Sequence, residues 1–205
     1  MKMYKLSQDE FDKLSDQHQF YVESLGKTGR KIQINKFDLR KLKIKNLSLT
    51  DSFITESIFC DNIFENVEIF DANLCGCKFD NMTFLNVNIV KTNLSYCLFK
   101  NCKFINTKIK CCETNESSFE NTQFVSCDLY DIFSYSSLKN ILFSQMSLKH
   151  LDFYGVMVNN IVLKDIKGFD INEAVISINT GNFKNEIMIK GIDAVNYFTK
   201  MCTYE

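Results

Sequence analysis

From Leu39 onward the chain places an apolar residue at every fifth position: Leu39, Ile44, Leu49, Ile54, Phe59, Phe64, Ile69, Leu74, Phe79, Phe84, Ile89, Leu94, Phe99, Phe104 and Ile109. The series continues through Phe119, Phe124 and Leu129, with Thr114 as its interruption. A period of five fits neither the 3.6-residue helix nor the two-residue strand. A longer period of twenty lies inside it. Phe59, Phe79, Phe99 and Phe119 form one column, and Phe64, Phe84, Phe104 and Phe124 a second. Ile69, Ile89, Ile109 and Leu129 form a third, and Ile54, Leu74 and Leu94 a fourth. Four pentapeptides per turn stack like on like, with turns about 4.8 Å apart as in any sheet. The pattern therefore predicts an all-β solenoid with four sides.

Two residues before each centre sits a smaller companion, as at Ser57, Ala72, Cys77, Thr92, Cys97, Cys102, Thr107 and Cys112. Bulky centre and small companion both fit a narrow square interior. Asn62 and Met82 break the small-companion rule and predict local widening. Ala72-Asn73-Leu74, Thr92-Asn93-Leu94 and Cys127-Asp128-Leu129 follow the order small residue, Asp or Asn, then Leu or Phe. In this the sequence resembles the pentapeptide-repeat family over about residues 37–166. The resemblance implies a right-handed quadrilateral β-helix.

After Leu129 the centres fall one residue early, at Leu138, Phe143, Leu148, Phe153, Val158 and Leu163. A single deletion between residues 129 and 138 accounts for this and predicts a bulged corner. The later companions Ile141, Met146, Leu151, Val156, Ile161 and Ile166 are large, which predicts wider or flatter coils. Thr114 stands in an aliphatic column, where leucine is expected to be tolerated.

A solenoid must cover its two ends. Ser7-Gln8-Asp9-Glu10 reads as a capping box, followed by Phe11, Leu14, His18, Tyr21 and Leu25 on one helical face and a stop at Gly26. Residues 7–31 are also similar to the helix that precedes the coils in many family members, matching at His18, Phe20, Glu23-Ser24 and Gly29-Arg30. Residues 168–174 resemble the family's exit from the coils. Ile192, Val195, Phe198 and Cys202 predict a short terminal helix, with Asp193 and Lys200 placed to suit its dipole. The expected organisation is an N-terminal cap at 1–31, repeats at 32–166 and a small C-terminal cap at 167–205.

Composition narrows the chemistry. The 205 residues carry a net charge of −1 with 45% apolar residues, which indicates neither disorder nor a basic nucleic-acid binder, so direct nucleic-acid binding is not expected. No apolar run approaches the roughly 18 residues of a membrane span, and the polar start predicts no signal peptide. The chain holds nine cysteines and two histidines, no proline and seven glycines. Cysteines without an export signal predict a reducing, cytoplasmic setting. None has metal-knuckle spacing, so no metal or cofactor is expected. The inward cysteines read as core filling, while Cys60, Cys75 and Cys111 are expected to face outward as weak candidates for oxidation. His18 reads as a packed cap residue, and His150 has no evident partner. No phosphate loop or nucleophile–base pair occurs, so catalysis is not expected.

Charge is patterned by turn. Residues 51–70 hold acids without bases, and residues 91–110 hold lysines without acids. Asp71 is expected under Lys91, Asp80 under Lys100 under Glu120, and Lys108 under Asp128, forming an inter-coil ladder that fixes register. The reading best supported is a non-catalytic interaction module with an unidentified protein partner, homo-oligomerisation being left open. The resemblance also offers an alternative. Quinolone-resistance proteins of the family are similar to B-form DNA in size and charge and act on type II topoisomerases. That reading needs a continuous acidic face, which the lysine turn interrupts.

Overall fold

A computed structural model describes residues 3–148, 154–167, 175–178 and 187–204. It is a parallel β-solenoid whose four sides are built from three-residue strands, each with its middle residue pointing inward. The first side stacks Ile58–Cys60, Lys78–Asp80, Leu98–Lys100 and Ser118–Glu120. The second stacks Lys43–Lys45, Ile63–Glu65, Thr83–Leu85, Lys103–Ile105 and Gln123–Val125. The third stacks Glu68–Phe70, Asn88–Val90, Lys108–Lys110 and Asp128–Tyr130. The fourth pairs Gln33–Asn35 with Phe53–Thr55 and continues as single bridges through Asn73, Asn93 and Glu113.

The corners explain how a chain without proline turns four times per coil. Each corner is one residue in the left-handed region: φ is 54° at Asp61, Asn66 and Asp71 and 70° at Gly76. The same conformation recurs one coil later at Asn81, Asn86, Lys91 and Tyr96. Asparagine and glycine tolerate this region, while other residues lose about 1–2 kcal/mol there. The loss is offset by backbone pairing to the next coil, as from Asn66 N to Leu85 O (3.0 Å) and from Asp71 N to Val90 O (3.0 Å).

In-register stacking fixes the core. Phe59, Phe79, Phe99, Phe119, Phe64, Phe84, Phe104 and Phe124 are all buried, as are Ile69, Ile89, Ile109 and Leu129. Within a column most rings lie nearly parallel, 4.7 Å apart for Phe79–Phe99 and 4.4 Å for Phe84–Phe104, while Phe64 meets Phe84 edge-on at 65°. Between columns they tilt, by 57° for Phe99–Phe104, so the edge of one ring meets the face of another. The companions do more than fill space. Thr107 Oγ1 donates to Phe84 O and Ile105 O, both at 3.1 Å, and Ser117 Oγ donates to Leu94 O at 2.6 Å. Cys77, Cys97, Cys102, Cys112 and Cys127 direct their thiols to the equivalent carbonyls. Asn62, where widening is expected, reaches the equivalent carbonyl, Leu39 O (3.0 Å), and also Leu42 O (2.8 Å), and the strand register passes it without a shift.

The pairing offset changes from twenty to nineteen after Asp128–Tyr130: Lys108 faces Asp128, but Phe119 faces Leu138. Ile132 and Phe133 are consecutive and both buried. The missing residue is thus the outward position that Asn93 and Glu113 hold on earlier coils. Phe133 takes the centre above Thr114, with its ring against Phe119, Phe124 and Phe143. Here the expectation for Thr114 is corrected. Its hydroxyl accepts from Phe133 N (3.1 Å) and donates to Ser134 O (3.4 Å), so a leucine would orphan a buried amide and crowd the ring. Beyond this corner the first and second sides merge into the continuous strands Ser137–Ser144 and Tyr154–Lys164.

Helix α1 (Gln8–Glu23) covers the N-terminal end. Ser7 and Glu10 form the reciprocal capping box. Gln8 acts as a surrogate strand, accepting from Lys43 N (2.8 Å) and donating to Lys43 O (3.1 Å), and so closes the exposed edge of the second side. At the other end, helix α2 (Gly191–Lys200) turns Ala194 and Phe198 inward. Ile192, expected on the apolar face, is 70% exposed, because the helix begins only at Gly191 and its phase selects the pair four residues apart. Cys202 belongs to the strand Cys202–Tyr204, which pairs with Ile161–Leu163. His150, Leu151, Phe153 and residues 168–174 lie outside the described residues.

Two substitutions separate the terms. Phe104→Ala is expected to cost about 3–5 kcal/mol by removing one ring from a stacked column. Thr114→Val, nearly equal in shape, is expected to cost about 1–3 kcal/mol because Phe133 N loses its acceptor. Urea denaturation measures both, and a Thr114→Val transition matching wild type would contradict the assigned hydrogen bond.

Candidate functional site

With alternate strand residues committed to the core, chemistry can lie only at the outward and corner positions. The buried thiols are chemically quiet. Burial pushes Cys77 and Cys102 up to about 12, pushes Cys112 and Cys127 up to about 11, and raises Cys97 well above the usual thiol value. Thiolate, the reactive form, is therefore suppressed along the whole interior. Of the outward cysteines, Cys60 and Cys75 are half-buried and burial raises both, while Cys111 is exposed at a corner. Among the described residues no three histidine, cysteine or acidic side chains gather as a metal site. No described helix is long and apolar enough to cross a membrane.

The charged residues occupy neighbouring coils, but their ion pairs close elsewhere. Lys100 lies in register with Asp80 and Glu120, yet Asp80 accepts from Asn101 Nδ2 (3.0 Å) and Glu120 pairs with Lys139 (3.2 Å). Lys108 lies in register with Asp128, which pairs instead with Lys110, two residues along the same strand. Lys91 follows Asp71 at its corner, but its ammonium sits 5.6 Å from the centre of the Phe70 ring. Among the described residues Lys100 and Lys108 close no ion pair. Lys45–Glu65 and Lys36–Glu56 (3.3 Å) bridge the first coils.

What runs along the two corners that flank the second side is amide rather than charge. Asn81 donates to Asp61 (2.7 Å), Asn121 to Asn101 (3.2 Å), Asn140 to Asn121 (2.8 Å) and Asn160 to Asn140 (2.9 Å) along the corner between the first and second sides. Asn66 donates to Asn46 (2.8 Å) and Asn86 to Asn66 (3.2 Å) along the corner between the second and third. The amide satisfies its neighbour and suits the left-handed backbone, two reasons for one residue type. The signal stood in the sequence as asparagine at the same twenty-residue spacing.

Between these two ladders lies the second side. Its outward residues include Ile63, Leu85, Ile105, Val125, Leu142 and Val162, with Leu85, Ile105 and Val125 directly in register. Ile63 is 48% exposed and the others are half-buried. The one acid of these strands, Glu65, is already held by Lys45, while Lys43 and Lys103 are exposed and close no ion pair among the described residues. The third and fourth sides, with the corner between them, carry Asp51, Glu68, Asp71, Glu113, Asp128 and Asp131.

Four-sided coils, inward centres at five-residue spacing and small companions define a repeat solenoid. The family model for pentapeptide repeats matches residues 68–106 in 8 copies, and this part of the chain is built of pentapeptide repeats. Among solved structures it is similar to a pentapeptide-repeat protein from the cyanobacterium Cyanothece 51142, at 6% identity over 52% of this chain and 83% of that one, with a TM-score of 0.42. Full-length QnrB1, a plasmid-mediated fluoroquinolone resistance protein, matches at 12% identity over 82% of this chain and 83% of its own, with a TM-score of 0.37. HetL, involved in heterocyst differentiation regulation in Nostoc sp. strain PCC 7120, matches at 11% identity over 77% and 94%, with a TM-score of 0.25. No curated protein matches the chain.

Corner amides and surface charges should separate by mutation. Asn121→Ala is expected to cost about 1–2 kcal/mol, since alanine is strained at φ 51° and ends the ladder. Asn121→Gly, free of that strain, should cost less. Lys100→Gln should stay within about 0.5 kcal/mol of wild type. Equal thermal transitions for Asn121→Ala and Lys100→Gln would remove the ladder from the account.

Proposed function

We propose that this protein is a non-catalytic interaction module that presents the second side of its solenoid to a partner protein. The observation that carries the reading is the apolar row Leu85, Ile105 and Val125, joined by Leu142 and Val162 on the adjacent outward row, which follows Gln123, between two corners that carry asparagine ladders. A rigid apolar strip needs little ordering on binding, which favours association. Its unneutralised charges are the cations Lys43 and Lys103. The occupant is accordingly a protein segment that sets apolar side chains along the strip and carboxylates beside those lysines. A second copy in face-to-face contact would oppose lysine to lysine, so complementarity favours a different chain.

The opposing reading, imitation of duplex DNA, requires acids on successive coils of one corner. The corner series is Asp51, Asp71, Lys91, Cys111 and Asp131, so cation and thiol interrupt it. Ile105→Glu and Leu85→Glu are expected to leave the melting temperature close to wild type and to weaken partner binding at least tenfold. Glu113→Lys on the fourth side should leave binding intact. Partner retention by Ile105→Glu would overturn the assignment. Potent inhibition of DNA gyrase supercoiling, abolished by neutralising Asp71 and Glu113, would replace it with the mimicry reading.

A further inference from the structure

The N-terminal cap is held by a contact of unusual chemistry. His18, on α1, is fully buried, and its Nδ1 accepts a hydrogen bond from Ile32 N (3.2 Å), the first amide of the segment that enters the coils. An acceptor Nδ1 assigns the remaining proton to Nε2, and among the described residues Nε2 closes no hydrogen bond. The ring stacks on Tyr21, 5.9 Å away. Ile32 is itself pinned to the next coil, with its carbonyl accepting from Phe53 N (2.9 Å). The loop between helix and coil has no slack. Arg30 N bonds to Gln17 O (2.9 Å), and a Cβ on Gly29 would lie 2.3 Å from that same oxygen.

We infer that His18 is an acid-sensitive latch, which holds α1 over the end of the coil stack while the imidazole is neutral and releases it on protonation. The geometry supplies the mechanism. A proton on Nδ1 turns the acceptor into a donor that faces the Ile32 N–H, another donor, inside a site closed to water. Nearby charge leaves the balance with desolvation. Burial is the main effect lowering the affinity of His18 for a proton, Lys31 adds to it, and the Thr50 backbone and Asp51 partly oppose it.

The sign follows. The folded cap binds the proton less readily than the free chain, whose histidine titrates near 6.5, so the open form gains as pH falls through 6.5. Opening rises by up to about tenfold per pH unit in that window. Above it the latch is closed. Release would also break the bonds of Gln8 to Lys43 and uncover Phe11, Ile32 and Ile34, leaving the edge of the second side unpaired. The coils themselves contain no comparable group from Phe59 to Leu129, where no histidine occurs.

Hydrogen exchange of the full-length protein, read by mass spectrometry at pH 7.5 and 5.5 and corrected for intrinsic rates, tests the latch. Peptides within residues 7–31 are expected to lose protection roughly tenfold at the lower pH, while peptides from 79–129 keep theirs. His18→Leu should abolish the difference between the two pH values. Should that variant hold the cap open throughout, the wild-type ring provides the second readout by NMR, with His150→Gln assigning the two resonances. His18 titrating below 6.5 in step with cap exchange supports the latch. Equal protection of residues 7–31 at both pH values, parallel opening of the coils, or titration at or above 6.5 would each overturn it.

Discussion

Up to Asp128–Tyr130 each coil is bound to the next by parallel backbone hydrogen bonds at an offset of twenty residues, and that register constrains everything else. Once it is fixed, each residue type is repeated along a column at the spacing of neighbouring strands. A position suited to phenylalanine stays suited to it for as many coils as the register holds, which is why the rings stack within columns. The same logic reaches the corners. A left-handed residue recurs every fifth position, and asparagine suits that backbone while its side chain bonds to the corner above. Where the register loses one residue, between Ile132 and Phe133, the disturbance stays local because a phenylalanine fills the space above a threonine whose hydroxyl accepts the displaced amide.

The register also limits where function can reside. Interior companions such as Thr107 and Ser117 are paired to carbonyls of the coil below, and the interior thiols are held protonated by burial. Reactive chemistry is thus removed from the inside, and specificity has to be written on outward positions held at fixed spacing. Such a surface acts as a ruled plane. On the second side it is apolar with two lysines that close no ion pair among the described residues, on the third and fourth it is richer in acids, and the cap at the N-terminal end carries a buried histidine. On the proposed reading, rigid faces and an acid-responsive end divide recognition from regulation within one chain.

Much of this was legible in the amino-acid sequence for a physical reason. Centres such as Phe64, Phe84 and Phe104 contact their own repeats, so local spacing alone predicts their surroundings. Side chains whose partners lie off the column were not legible. Thr114 looked like a gap in an aliphatic series because its partners, Phe133 and Ser134, come from the coil that carries the deletion. Lys108 and Asp128 were aligned correctly by register, but a lysine chain reaches diagonally, and Lys110 takes the carboxylate. Ile192 and Ala194 exchanged roles because the phase of a short helix depends on where the preceding strand releases it. The asparagine ladders were visible as a period but not as a function of backbone conformation. Polar corner positions give no hydrophobic signal.

The central claim is that a twenty-residue register, rather than any individual contact, specifies the fold. Deleting residues 80–99 removes one full period and joins Phe79 to Lys100, which stands where Asp80 stood in the ladder. The account predicts a shortened protein that keeps the wild-type far-UV circular dichroism per residue and melts in one cooperative transition. Deleting residues 80–96 instead joins Phe79 to Cys97 and places an inward companion at an outward position, so this variant is predicted to lose the cooperative transition. Equal folding of the two deletions in that measurement, or failure of the full-period deletion alone, would contradict the account.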